Sequence, residues 1–163
     1  WVKEGVQCVC CTSAPDTKEI EDEIAAKVSE QPRIIWINSL LPVEQYVELY
    51  SNARVFVCPS VYEPFGIINL ESMACETPVV ASKVGGILET VMDGETGLLV
   101  EPGQPKVIAE AVNKLLDNPR MAEEFGKKGR RRVEDFFSWT SIAEKTEKLY
   151  TIVINEWKSR SKT

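Results

Sequence analysis

Five short apolar runs, at residues 6–11, 34–37, 55–58, 79–81 and 98–100, alternate with stretches of helical spacing. Continuous apolar runs of this length belong to strands covered on both faces. The stretches between them predict helices over residues 17–30, 42–52, 66–74 and 87–92. Asp16 is the expected N-cap of the first, after the turn at Ala14-Pro15, with Ile20, Ile24 and Val28 on its inward face. Val43, Val47 and Tyr50 mark the inward face of the second. After residue 100 only helices are expected, over 105–117, 119–136 and 138–158. Ile108, Val112 and Leu115 should face inward in the first of these, and Ile142, Leu149, Ile152 and Val153 in the last. Such alternation builds an α/β fold, an open doubly wound parallel sheet with helices on both faces, here with a helical tail.

Composition narrows what such a sheet can do. With 163 residues and an apolar content of 44%, the chain has material for one domain with a real core. A formal charge of −6 and the lack of a long basic run argue against nucleic acid as a partner. Histidine is absent, which removes Ser-His-Asp triads, Cys-His dyads, histidine metal sites and histidine bases within this chain. Chemistry must then run on carboxylates, backbone dipoles and a partner surface. The cysteines, Cys8, Cys10, Cys11, Cys58 and Cys75, are odd in number and fit no zinc or disulfide spacing. They are expected to be buried small hydrophobes in a reducing cytoplasm, with a metal or redox role as the alternative. No run approaches the ~18 uninterrupted apolar residues that a membrane span needs. The start at Trp1 rather than Met, on what reads as a helix end, suggests a piece of a longer polypeptide. The cluster Lys127, Lys128, Arg130, Arg131 and Arg132 near a helix C-terminus is either a solvated charged face or a phosphate contact.

In an open α/β sheet, ligands sit beyond the carboxyl ends of the strands. Loops 59–65, 83–86 and 12–15 occupy that position. The first enters a helix at Gly66-Ile67, and a helix start presents free N–H groups and about half a positive charge. Gly66 lets a bound group come close to the backbone. Together these suit a diphosphate or the hydroxyls of a sugar. Glu63 lies just before that helix and Glu71 a little over one turn inside it. Glu71 fits an acceptor for ribose hydroxyls; the other reading is that it complements the helix dipole and that Glu63 is solvated. Gly85-Gly86 makes either a second close-approach loop or a plain tight turn.

The run Glu63-Pro64-Phe65-Gly66-Ile67-Ile68-Asn69-Leu70-Glu71 resembles the E-x7-E motif of retaining GT-B glycosyltransferases. Met73-Ala74-Cys75, residues 77–82, Val84-Gly85-Gly86, Asp93-Gly94, residues 96–100 and Phe137-Ser138-Trp139 follow the same pattern in order. The resemblance covers residues 6–150. Residues 6–17 and 57–64 are most similar to bacterial glycogen synthases that use ADP-glucose.

The resemblance implies a division of labour. The Rossmann-like C-terminal domain binds a nucleotide sugar, ADP-glucose or UDP-glucose. An N-terminal domain outside this chain binds the glucan acceptor. Residues 1–163 would be the donor domain lacking its first strand-loop-helix, with 138–158 closing toward the N-terminal domain. Transfer proceeds with retention, without a required metal or cofactor. Glu63 matches the catalytic glutamate that positions the donor sugar. Phe65, Gly66 and Ile67 match the backbone that touches sugar hydroxyls, and Gly85 and Gly86 the second loop near the sugar and diphosphate. Glu71 matches the glutamate that holds the ribose. Tyr62 packs on the nucleotide or only on its own loop. Stabilising the leaving phosphate, which also helps deprotonate the acceptor, is then the main catalytic term.

Three departures bear on this. The family's Arg and Lys diphosphate clamp would precede Trp1, so the isolated chain is expected to bind donor weakly and to have negligible activity. Glu76 stands where the family has Gly, which suggests a helix end without a left-handed residue. Leu88 stands where Pro is usual. The alternatives are a sucrose synthase-like, lipid or small-molecule glycosyltransferase, or a non-catalytic nucleotide-sugar-binding module. An NAD- or flavin-dependent oxidoreductase would need G-x-G-x-x-G after its first strand, and Thr12-Ser13-Ala14-Pro15 contains no glycine.

Overall fold

The computed structural model describes residues 1–12 and 15–160 and divides into two compact units, Trp1–Leu49 and Tyr50–Thr163. In the first, β1 (Cys8–Thr12) leads through α1 (Lys18–Ser29) to β2 (Ile34–Asn38). The two strands are parallel, with Cys8 opposite Ile34 and Thr12 opposite Asn38. The N-cap of α1 is Thr17, not the expected Asp16. Thr17 is extended (φ −135°, ψ 157°), and its hydroxyl accepts from the Ile20 N–H at 3.4 Å. The helix begins at Lys18, and only the residue just before it can present its oxygen to the first turn.

Burial in this unit is thinner than the sequence suggests. The run 34–37 is not covered on both faces: Ile35 is 43% exposed, as is Val9 at 44%. Nor does α1 contribute a buried residue, since Ile20 is exposed while Ile24 and Val28 are half-buried. Val43 and Val47 of α2 (Val43–Asn52) are also exposed rather than inward. A two-stranded ladder has too little apolar surface to bury both of its faces. The expectation of buried cysteines fails here as well. Cys8 is exposed, Cys10 and Cys11 are half-buried, and only Cys58 of the second unit is fully buried.

The second unit holds β3 (Phe56–Cys58), α3 (Ile67–Ala74), β4 (Val79–Ser82), α4 (Ile87–Thr90) and β5 (Gly97–Val100), then α5 (Pro105–Asp117) and α6 (Pro119–Arg132). A π-helical turn, Val133–Phe137, separates α6 from α7 (Trp139–Arg160). The strands are parallel in the order β3-β4-β5, with Phe56 opposite Val79 and Val79 opposite Gly97. The alternation predicts one ladder, whereas the described residues form two, of two and three strands. The α/β class, the parallel strands and the long terminal helix are as expected.

β4 is central and buried throughout, as its uniform apolar run implies. β3 is an edge strand, so Val57 remains 37% exposed and only Cys58 of the run 55–58 is buried. The core joins Cys58, Met73, Val79, Ala81, Ile87 and Val91, with Phe56, Leu70, Leu99 and Val133 packed against it. α5 buries Ala109, Ala111, Val112 and Leu115, close to the expected stripe. Asn118 ends α5 and starts α6, its side chain accepting from the Met121 N–H at 3.1 Å. The Asp93-Gly94-Glu95-Thr96-Gly97 turn is held by its own side chains. Asp93 accepts from the Leu99 N–H and Thr96 from the Met92 N–H, both at 2.9 Å.

Two expectations are corrected by the helix ends. Glu76 does adopt the left-handed conformation, at φ 61°. The Thr77 N–H reaches the Ser72 carbonyl at 3.1 Å and the Glu76 N–H the Met73 carbonyl at 3.0 Å. That pair of bonds closes α3 and requires a left-handed residue between them. In α7 no residue is buried, so Ile142, Leu149, Ile152 and Val153 do not face a core of this chain.

Candidate functional site

The site is built where β3 hands over to α3. Gly66 sits at the helix N-cap with φ 89° and ψ 45°, and no side chain caps the first turn there. A non-glycine residue would be strained, and its Cβ would lie 2.7 Å from Asn69 Nδ2. The Gly66 N–H donates to Glu63 Oε1 at 3.2 Å, which anchors that half-buried carboxylate at the positive end of α3. Glu71, the second motif glutamate, is exposed one turn further on. Its Oε2 accepts from the Tyr50 hydroxyl at 3.3 Å. Tyr50 is itself placed by an edge contact with Phe56, 5.4 Å between centroids, and by its carbonyl, which accepts from the Thr77 hydroxyl at 2.6 Å.

Gly85 and Gly86 lie directly beneath this loop. The Gly86 N–H donates to the Glu63 carbonyl at 3.1 Å. A Cβ on Gly85 would collide with that same carbonyl, and one on Gly86 with the Phe65 backbone. In this chain the glycine pair therefore lets the two loops pack backbone to backbone. Around the helix start, Val61, Tyr62 and Ile67 are largely exposed, Tyr62 by 79%, while Phe65 is partly covered. Its ring meets the edge of Phe137 at 6.2 Å. Thus Glu63, Phe65, Gly66, Ile67, Gly85 and Gly86 come together, with Tyr62 beside them and Glu71 one turn along.

Tyr50 and Phe137 belong to the site's frame and were not legible as such. Helical spacing marks Tyr50 only as inward-facing, and the contacts of the two with Glu71 and Phe65 span long sequence separations. Of the third loop, 12–15, Ser13 and Ala14 lie outside the described residues. The basic cluster is largely occupied by the protein itself. Lys127 pairs with Glu123, Arg130 with Glu134 and the Ala74 carbonyl, and Arg132 with the Glu89 and Thr90 carbonyls. Among the described residues, no group of three or more His, Cys, Asp or Glu side chains could hold a metal ion. None of their helices is long and apolar enough to cross a membrane.

An uncapped helix start flanked by two carboxylates, at the carboxyl end of a parallel sheet, is a frame for an anionic, hydroxyl-rich ligand. Comparison with known proteins gives it a family, since residues 3–132 match the glycosyl transferases group 1. The chain belongs to the group 1 glycosyl transferases. Among the relatives of this group 1 chain is the alpha-maltose-1-phosphate synthase of Mycolicibacterium smegmatis, 49% identical over 155 residues, or 89% of this chain and 40% of that protein. The structure of a sucrose-phosphate synthase from Thermosynechococcus elongatus superposes with a TM-score of 0.81 at 36% identity, over 92% of this chain and 39% of that one. Anabaena HepE, solved with UDP-glucose, shares the fold at a TM-score of 0.82 and 20% identity, over 92% of this chain and 42% of its own. The chain thus spans about two-fifths of the length of the relatives it matches. The chain has the α/β fold of a GT-B C-terminal domain.

Proposed function

We propose that this chain is the donor-binding part of a retaining hexosyltransferase that moves glucose from a nucleoside diphosphate sugar, ADP-glucose in the first instance, to a glucan acceptor. The observation that carries this reading is the α3 N-terminus, left without a side-chain cap, with Glu63 hydrogen-bonded to Gly66 and Glu71 one turn beyond. The partial positive charge at that helix end would stabilise the diphosphate as it departs, in the interval when its negative charge grows. Glu63 would sit at the reacting face of the glucose. The backbone of Phe65, Gly66 and Ile67 would take its hydroxyls, and Gly85 and Gly86 would line the sugar and diphosphate from below. Glu71, braced by Tyr50, would accept from the ribose, and exposed Tyr62 would cover the nucleotide.

The acceptor would be read by a domain outside this chain, toward which the exposed apolar side of α7 would pack. A diphosphate clamp would also come from outside, so the isolated chain should bind donor weakly and turn over negligibly. The parent enzyme would act in the cytoplasm. A second reading keeps the donor and changes the acceptor to a short phosphorylated sugar. It is favoured by the relative at 49% identity whose name is alpha-maltose-1-phosphate synthase.

The test is a calorimetric titration of the full-length protein with ADP-glucose, UDP-glucose and GDP-mannose, in parallel with Glu71→Ala. A glucose nucleotide should bind, and the substitution should weaken it about tenfold, the loss of roughly 1.4 kcal/mol of binding free energy. Unchanged affinity in Glu71→Ala would sink the ribose assignment. Incubating the loaded enzyme with a glucan or with glucose 1-phosphate, and identifying the product, separates the two acceptor readings.

A further inference from the structure

We propose that Arg132 is a positioning residue for the donor loop, holding in one guanidinium both of the supports on which residues 63–66 rest. The inference builds on the reading of that loop as the donor site. Arg132 is the last residue of α6, and its Nε donates to the Thr90 carbonyl at 2.9 Å. Its Nη2 donates to the Glu89 carbonyl at 2.7 Å, and Nη1 lies 3.2 Å from Met92 Sδ. Glu89 and Thr90 end α4, whose last carbonyls have no partner within so short a helix. The guanidinium therefore caps α4 with two parallel bonds and a favourable charge.

The same plane lies over two rings, its central carbon 5.5 Å from the Phe137 centroid and 5.6 Å from that of Phe136. The π-helical turn Val133–Phe137 begins directly after Arg132, and its wider spacing carries both rings back against that side chain. From here two routes run to the donor loop. Through α4, the grip reaches Gly86, whose N–H holds the Glu63 carbonyl at 3.1 Å. Through Phe137, it reaches the Phe65 ring at 6.2 Å. None of these partners of Arg132 is a motif glutamate, so its influence on Glu63 passes through the loop. Among its basic neighbours, Lys127 and Arg130 are held in ion pairs with Glu123 and Glu134. Lysine at 132 would keep the charge but lacks the planar fork that bonds two carbonyls while lying against a ring.

The experiment uses the full-length enzyme, its donor-binding sites counted by nucleoside diphosphate titration. Per site, Arg132→Lys should lower kcat by about ten- to a hundredfold, the scale on which a misplacement near 1 Å acts, with acceptor KM unchanged. Arg131→Lys, at the adjacent exposed arginine, should turn over as the wild type does. Phe137→Leu tests the second route independently should Arg132→Lys fold poorly, and the same fall in kcat is expected. With fluorophenylalanine incorporated, the Phe65 resonance, assigned through Phe65→Leu, should move in both variants. Wild-type kcat per site in either variant, or a lowered melting temperature with unchanged kcat, overturns the proposal. A wild-type enzyme that transfers from no glucose nucleotide removes the donor-site reading, and this inference with it.

Discussion

Glu76 carries a cost that the fold has accepted. A non-glycine residue in the left-handed region loses roughly 1–2 kcal/mol to contact between Cβ and backbone, partly offset because glycine forfeits more entropy on folding. Its φ of 61° is imposed by the two hydrogen bonds that close α3. Glu76→Gly should therefore raise stability by about 0.5–1 kcal/mol, read as a higher midpoint in urea with an unchanged slope. A lower midpoint would mean that the glutamate side chain contributes more than the strain costs. Cys8 shows the same dependence on a neighbour. The Cys10 thiol, 3.8 Å away, stabilises the Cys8 thiolate and lowers its pKa from 9.0 to about 6 against the opposing effect of burial, while Cys10 is pushed up by the same bond. Neither effect can be read from the run Cys8-Val9-Cys10-Cys11, because the spacing does not say which sulfur keeps its proton.

Among the helices, α5 is the one most fully written in local sequence. Pro105 opens it, Asn118 closes it, and its apolar stripe becomes the buried face. The stripe of α7 is as regular but stays in solvent, since a hydrophobic face reports a tendency to be covered and not what covers it. The two should therefore respond differently to substitution. Leu115→Ala removes a side chain that is 1% exposed and should cost about 2–5 kcal/mol in a denaturant titration of this chain. Leu149→Asp, at a side chain 57% exposed, should leave the midpoint within about 0.5 kcal/mol. A large loss at Leu149 would show that α7 packs within the chain. The π-helical turn after Arg132 reads in sequence as plain helix, because its residues have ordinary helical propensity and only the folded backbone shows the widening.

At the scale of the molecule, burial is concentrated in the second unit. No described residue of the first unit is buried, whereas β4 is buried along its whole length. Local opening follows buried contact, so amide protons of β1 and β2 should exchange before those of β4 in a native-state hydrogen-exchange experiment. Equal protection across both sheets would contradict that ranking. The sequence by itself determined the order of the strands and α-helices and the parallel α/β class. These rest on short-range physics: propensity, capping and periodicity within a few residues. Only the tertiary structure decided what braces the motif. Tyr50 reaches Glu71 across 21 residues, and Arg132 reaches Thr90 across 42. Such contacts depend on where the chain crosses itself, and neither composition nor spacing carries that information.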